Sequence, residues 1–151
     1  MSTITYRQGN ISELDKDLVG SHWEETASNK AKRKIGVRYD VLQQMIDLKV
    51  GLLIIAEDAG KVIGYAMWFI TPDLHALNNI VGVNDALYIS KEYRNRGIGA
   101  GLLAYSEKEL KAMDIDGIKI SMKVYAPFSE LVESLGYTLT EYSYMKSIGE
   151  D

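Results

Sequence analysis

Leu87-Tyr88-Ile89-Ser90-Lys91-Glu92-Tyr93-Arg94-Asn95-Arg96-Gly97-Ile98-Gly99-Ala100 is the stretch that decides how this chain folds. A strand ends at Ile89, a basic turn follows, and a helix begins with glycines in its first turn. The first turn of a helix exposes N–H groups that have no intrahelical partner, at the positive end of the helix dipole. Gly97 and Gly99 remove side chains there, so an anion can reach the main chain, and Arg94 and Arg96 add positive charge. Such a start is a cradle for a diphosphate. It is not the P-loop pattern, because no Gly-Lys-Ser/Thr closes it, and Gly101 comes too early for a dinucleotide fingerprint. The plain alternative is a helix that starts with glycines only to pack closely.

Working outward, residues 80–89 predict one strand, with Gly82 and Asn84 as bulge markers. Before it, the apolar runs 52–57 and 61–70 flank Asp58-Ala59-Gly60 and predict an antiparallel hairpin. Thr71-Pro72-Asp73 is expected to break the second of these strands, and 74–79, with His75, reads as a loop. Nearer the N-terminus, Ile4 and Tyr6 mark a first strand. Asn10 or Ser12 can cap a helix through Leu14, Leu18 and Trp23, and a second helix covers 39–48. Downstream come a long helix over 97–113, a strand over 118–124, a short helix over 128–135 stopped by Gly136, and a last strand or two over 137–148. This order predicts a single mixed α/β domain over 1–151.

Composition narrows the function classes. The chain has 151 residues, 46% hydrophobic and 25% charged, which suits one globular domain rather than a disordered chain. A net charge of −4 gives no overall field toward nucleic acid or anionic lipid. There is no cysteine, so disulfides, thiolate metal sites and cysteine nucleophiles are excluded, and two histidines alone argue against a metal site. No run reaches the ~20 apolar residues that cross a bilayer, and residues 1–10 lack the pattern of a signal peptide, so a cytoplasmic location is expected. The run Lys30, Lys32, Arg33, Lys34 and Arg38 reads as a solvated loop or as a contact for a nucleic acid or a 3′-phosphate.

Arg94-Asn95-Arg96-Gly97-Ile98-Gly99 resembles the Arg/Gln-x-x-Gly-x-Gly/Ala signature of the GNAT superfamily, the Gcn5-related N-acetyltransferases. Leu87-Tyr88-Ile89 is similar to the strand that precedes this signature. Val62-Ile63-Gly64-Tyr65-Ala66 is similar to the strand before that, and Leu135-Gly136-Tyr137 to the C-terminal Leu-Gly-Phe/Tyr signature. Small acetyltransferases of bacteria and phages look similar in length and layout. The resemblance implies the acyl-CoA N-acyltransferase fold, a mostly antiparallel central sheet whose fourth and fifth strands splay apart, flanked by helices.

It also implies roles. Acetyl-CoA would be the co-substrate, its pyrophosphate bound by main-chain N–H groups of Arg96, Gly97, Ile98, Gly99 and Ala100, with Arg94 and Asn95 in the same turn. Leu87, Tyr88 and Ile89 would offer main chain to the pantetheine arm, and an N–H near Ile89 would meet the acetyl carbonyl as charge develops on it. Transfer to an amine needs a base to remove a proton. Asp85, four residues before Ile89 and on the same strand face by period two, is the candidate, the alternative being a loop-end carboxylate or bulge cap. If a bulge shifts the register, Asp85 faces away. The tyrosine that commonly protonates the leaving thiolate is replaced by Val132. Tyr125 is the candidate substitute, against a core or rim tyrosine or water. His22 and Glu25 on the first helix and His75 in its loop are acceptor-side candidates, against plain surface positions. Many relatives dimerise, often through C-terminal strands, so a homodimer resting on Tyr137, Tyr142 and Tyr144 is a further expectation. Three hypotheses remain: an N-acetyltransferase acting by direct attack of a primary amine in a ternary complex, a non-catalytic acyl-CoA-binding module (favoured by Val132), and a nucleic-acid-modifying transferase (motivated by the basic run).

Overall fold

A computed structural model of the chain describes residues 3–26 and 36–149. Five strands form one sheet in the order β1-β2-β3-β4-β5. They are β1 (Ile4–Gln8), β2 (Gly51–Asp58), β3 (Lys61–Pro72), β4 (Ile80–Ile89) and β5 (Gly117–Lys119). The first four run antiparallel to their neighbours, and β5 lies parallel to β4. Four helices cover the sheet: α1 (Lys16–Thr26), α2 (Tyr39–Asp47), α3 (Ile98–Ala112) and α4 (Ser129–Ser134).

The sheet is buried on both faces, which is why β2 reads as a continuous apolar run rather than an alternating one. Leu52, Ile54 and Ala56 face α3 and α4, packing with Trp68 and with Ile98, Leu102, Leu103, Leu110 and Val132. Leu53 and Ile55 face the other way, with Tyr65, Met67 and Tyr88, against Leu18 of α1 and Leu42 and Ile46 of α2. On the α3 face the buried Ser106 hydroxyl accepts from Trp68 Nε1 and donates to the Leu102 carbonyl, so its polar atom is paired.

Four expectations need correction. Asn10 opens only a 3-10 turn (Ile11–Glu13), and α1 starts later, where Asp15 accepts from the Leu18 N–H at 2.7 Å. β3 runs two residues beyond the expected Ile70 before it breaks at Pro72. Pro72 is the strand's last residue, paired with Ile80, where its missing N–H interrupts no interior ladder. The fifth strand is confined to Gly117–Lys119. No strand forms over 137–148: Tyr142, Tyr144, Met145 and Ile148 are all exposed, Tyr144 at 96%. Among the described residues no strand pairs with this segment. Most of the 30–38 basic run lies outside the described residues; Arg38 itself is ion-paired with Asp40 at 3.0 Å.

Candidate active site

The edge of β4 is opened by two features. Pairing with β5 covers only Val81–Val83 against Gly117–Lys119. Beyond that point β4 continues to Ile89 with no strand on its outer side among the described residues. The two strands therefore splay. Between them and β3 lies a bulge: Met67 pairs with Ala86 and Trp68 with Asn84, so Asp85 is the extra residue. The buried Asn84 pins it, its Nδ2 donating to the carbonyls of Met67 at 3.1 Å and Ala86 at 3.0 Å.

Past Ile89 the chain makes a single 3-10 turn (Lys91–Tyr93) and enters α3. Asn95 and Gly97 both adopt positive φ, +62° and +76°. Asn tolerates that region, and glycine occupies it without penalty. Gly97 is the N-cap of α3 and no side chain caps the helix; the first turn carries no acidic residue. Gly101 N–H bonds to Gly97 O at 3.1 Å, which leaves the N–H groups of Ile98, Gly99 and Ala100 ahead of the first helical bond. Gly99 has a different reason to be glycine. A methyl group there would lie 3.1 Å from Leu131 Cδ2 and 3.3 Å from Ile89 Cδ1, so close packing favours glycine at this buried position, whereas Gly97 faces open space. The residues fit a diphosphate: open amides, an αL cap and no competing carboxylate. Arg96 lies over the Tyr93 ring at 5.1 Å, and the Tyr93 hydroxyl is anchored on Asp58 at 2.9 Å.

The opposite face holds a cluster of side chains. The buried Tyr65 shares a hydrogen bond with His22 Nδ1 at 2.5 Å, and the imidazole stacks on Tyr88 at 4.7 Å between centroids. Burial pushes His22 down to about 4, so the ring is neutral at pH 7. The Tyr88 hydroxyl donates to Glu25 Oε1 at 2.8 Å, and Arg94 donates to Glu25 Oε2 at 2.5 Å. Burial works to raise the Glu25 carboxyl; the bonds from Arg94 and Tyr88, with Lys91 nearby, outweigh it and bring it below its usual range. Tyr88 is pushed up to about 12, by burial and by Glu25.

Asp85 lies within electrostatic reach of Tyr65, and desolvation raises its carboxyl. The bulge breaks the even spacing on which the sequence argument relied. Ile89 packs into the α3-side core, while Asp85 acts on Tyr65 of the α1 side.

This arrangement is that of a known family. A family model described as the acetyltransferase (GNAT) family matches residues 18–128. The chain belongs to the GNAT acetyltransferases. The family uses acetyl-CoA as acyl donor. Comparison with the curated proteins gave no match. Among solved structures the GNAT domain is similar to a ribosomal-protein-alanine N-acetyltransferase from Brucella melitensis biovar Abortus 2308, with a TM-score of 0.80 at 14% identity over 98% of this chain and 99% of that one. It is also similar to a glucosamine-6-phosphate N-acetyltransferase from Arabidopsis thaliana (TM-score 0.75, 14% identity, 97% and 99% covered). A third likeness is to an acetyltransferase from Clostridium acetobutylicum solved with acetyl-CoA (TM-score 0.72, 15% identity, 97% of each chain).

The remaining sequence candidates are scattered. His75 sits in the exposed loop past Pro72, its N–H bonded to Asp73 at 2.9 Å, beyond the end of β4 opposite to Tyr88. Tyr125 is half exposed, on a turn six residues beyond the end of β5 (125 − 119). Val132 is a core residue of α4. Asn84, marked in the sequence as a bulge residue, is the one that pins it; Tyr65 as the hub of the side-chain cluster was missed, and nothing local in the sequence marks that role. Among the described residues no group of three acidic or histidine side chains could hold a metal ion, and no helix is long and apolar enough to cross a membrane.

Proposed function

We propose that this GNAT domain is an N-acetyltransferase that moves the acetyl group of acetyl-CoA onto a primary amine by direct attack. The observation that carries the reading is the uncapped, acid-free start of α3 at an αL glycine, beside the open edge of β4. The amides of Ile98, Gly99 and Ala100 would hold the diphosphate with Arg96 beside them, and the main chain of Leu87 and Ile89 would pair with the pantetheine arm. Acetyl-CoA supplies an activated thioester. The chain has no cysteine to carry an acetyl group, which supports attack by the amine itself. Asp85 takes the proton from the ammonium; its raised pKa brings it nearer to working pH, where a base is most effective. Tyr125 returns a proton to the leaving thiolate. His22 and Tyr65 border the space that the amine enters; His75 stands apart from it.

The test is release of free thiol from acetyl-CoA with a panel of primary amines. Amine-dependent release supports the reading. Titration with acetyl-CoA that gives no heat and no perturbation of the Gly97 and Gly99 amides contradicts it. The buried Val132 in place of a proton donor favours a second reading, a module that binds acyl-CoA without turnover. Heat on titration with no thiol release for any amine selects it.

Self-association belongs to the same proposal. The exposed Leu139, Tyr142, Tyr144, Met145 and Ile148 leave the body beside a groove of about 450 Å³ lined by Leu110, Ile118, Leu135 and Tyr137, next to the short β5. A second copy's C-terminal segment is the occupant we assign to it, and a monomer by light scattering at all concentrations rejects this.

A further inference from the structure

Glu25 was placed with the amine on sequence grounds and Arg94 with the coenzyme, yet the fold joins them to each other across 69 residues of chain. Both Glu25 oxygens are taken, one by the Tyr88 hydroxyl at 2.8 Å and one by Arg94 at 2.5 Å, with Lys91 Nζ at 3.9 Å. Arg94 is equally committed. Its Nε donates to the Ile89 carbonyl at 3.0 Å, a terminal nitrogen reaches Glu25, and the guanidinium lies 5.3 Å from the centre of the Tyr88 ring. The guanidinium fork thus ties the last carbonyl of β4 to α1, across the turn that presents the open amides of α3.

We infer that Glu25 is a positioning residue of the coenzyme half of the site, not a ligand of the amine. The inference rests on the coenzyme reading of the β4–α3 edge. For Glu25 to bind an ammonium group it would have to release Arg94 or Tyr88, leaving a partly desolvated partner unpaired, which is costly. Held as it is, it restrains an arginine that would otherwise sample many rotamers, and through the Ile89 carbonyl it fixes the strand end and the turn. Amides ordered in advance bind an anion without paying for that order on arrival.

The experiment is calorimetric titration of the full chain with acetyl-CoA, alongside steady-state kinetics with any amine that turns over. Glu25→Gln keeps the shape and an acceptor for Tyr88 but loses the charge; it should weaken acetyl-CoA binding about tenfold and leave the amine KM unchanged. Arg94→Lys should lose about the same, since an ammonium cannot span Ile89 and Glu25 together. The double variant should lose no more than either single one, because the two act as a unit. Unchanged acetyl-CoA affinity in Glu25→Gln, with or without a raised amine KM or a lowered melting temperature, overturns the inference. So do losses that multiply in the double variant, which would mean that Arg94 and Glu25 act separately. Glu25→Asp, which keeps the charge and shortens the reach, serves if the glutamine variant does not fold; it should bind acetyl-CoA measurably more weakly than the wild type, and equal affinity overturns the inference. Wild-type protein that binds no acetyl-CoA removes the coenzyme reading itself, an outcome distinct from any of these.

Discussion

The two sides of β4 offer different kinds of group to a ligand. On the α3 side the useful groups are main-chain amides, made available by an αL glycine and the lack of a cap. On the α1 side they are side chains, His22, Glu25, Tyr65, Tyr88 and Asp85, brought together from α1, β3 and β4. Main-chain recognition tolerates many sequences as long as the backbone path is kept, whereas a side-chain cluster changes with every substitution. A family that shares its acyl donor and differs in its acceptors would divide its labour in this way.

The contrast can be broken by substitutions that ought to touch one side only. The largest effect is expected from Asp85→Asn, which should lower kcat about 100-fold while leaving acetyl-CoA affinity nearly unchanged. Equal losses in kcat and affinity would merge the two sides. In the wild type the acid limb of kcat/KM for the amine should lie above the ordinary carboxylate range, because desolvation raises Asp85, and it should vanish in the variant. Next is Gly97→Val, which forces a β-branched residue to φ +76° and should weaken acetyl-CoA about tenfold, from a strain of roughly 1–2 kcal/mol. Calorimetry reads this directly, and an altered amine KM at saturating coenzyme would blur the division. Tyr125→Phe should lower kcat only about threefold, since a thiol with a pKa near 8.5 leaves tolerably without help.

A last effect, apart from the kinetic ones, concerns stability. His22 titrates near 4 when folded and near 6.5 when unfolded. Between those values the unfolded chain takes up a proton that the folded one refuses, so stability falls as pH drops through this window, by at most about 1.4 kcal/mol per unit. Urea melts at pH 7 and pH 5 should show a smaller pH-dependent loss in His22→Gln than in the wild type.

What was legible follows the same division. The cradle could be read because its signal is local: a strand end, a basic turn and glycines within one stretch. The hairpin of β2 and β3 and the long α3 were legible from apolar runs and period. The Arg94–Glu25 pair was not, because nothing in sequence announces that a helix from the first third of the chain will lie against a turn in the middle third. The extra residue in β4 was hinted at by Asn84, but its consequence for the direction of Asp85 depends on how Met67 and Trp68 pair. The final segment carries strand-like residues, and only the fold shows that it pairs with no strand among the described residues.

The single surplus residue in β4 also bears on how such a gene can change. Loss of the Asp85 codon would leave a regular ladder in which Asn84 and Ala86 keep their partners, Trp68 and Met67, so the strand would lose a carboxylate and no other side chain would change face. Loss or gain of a residue elsewhere in the paired part of the strand would shift the register beyond that point. Descendants of this sequence can therefore explore new acceptors by exchanging side chains along β4, while other changes in its length are confined to the loops at its ends.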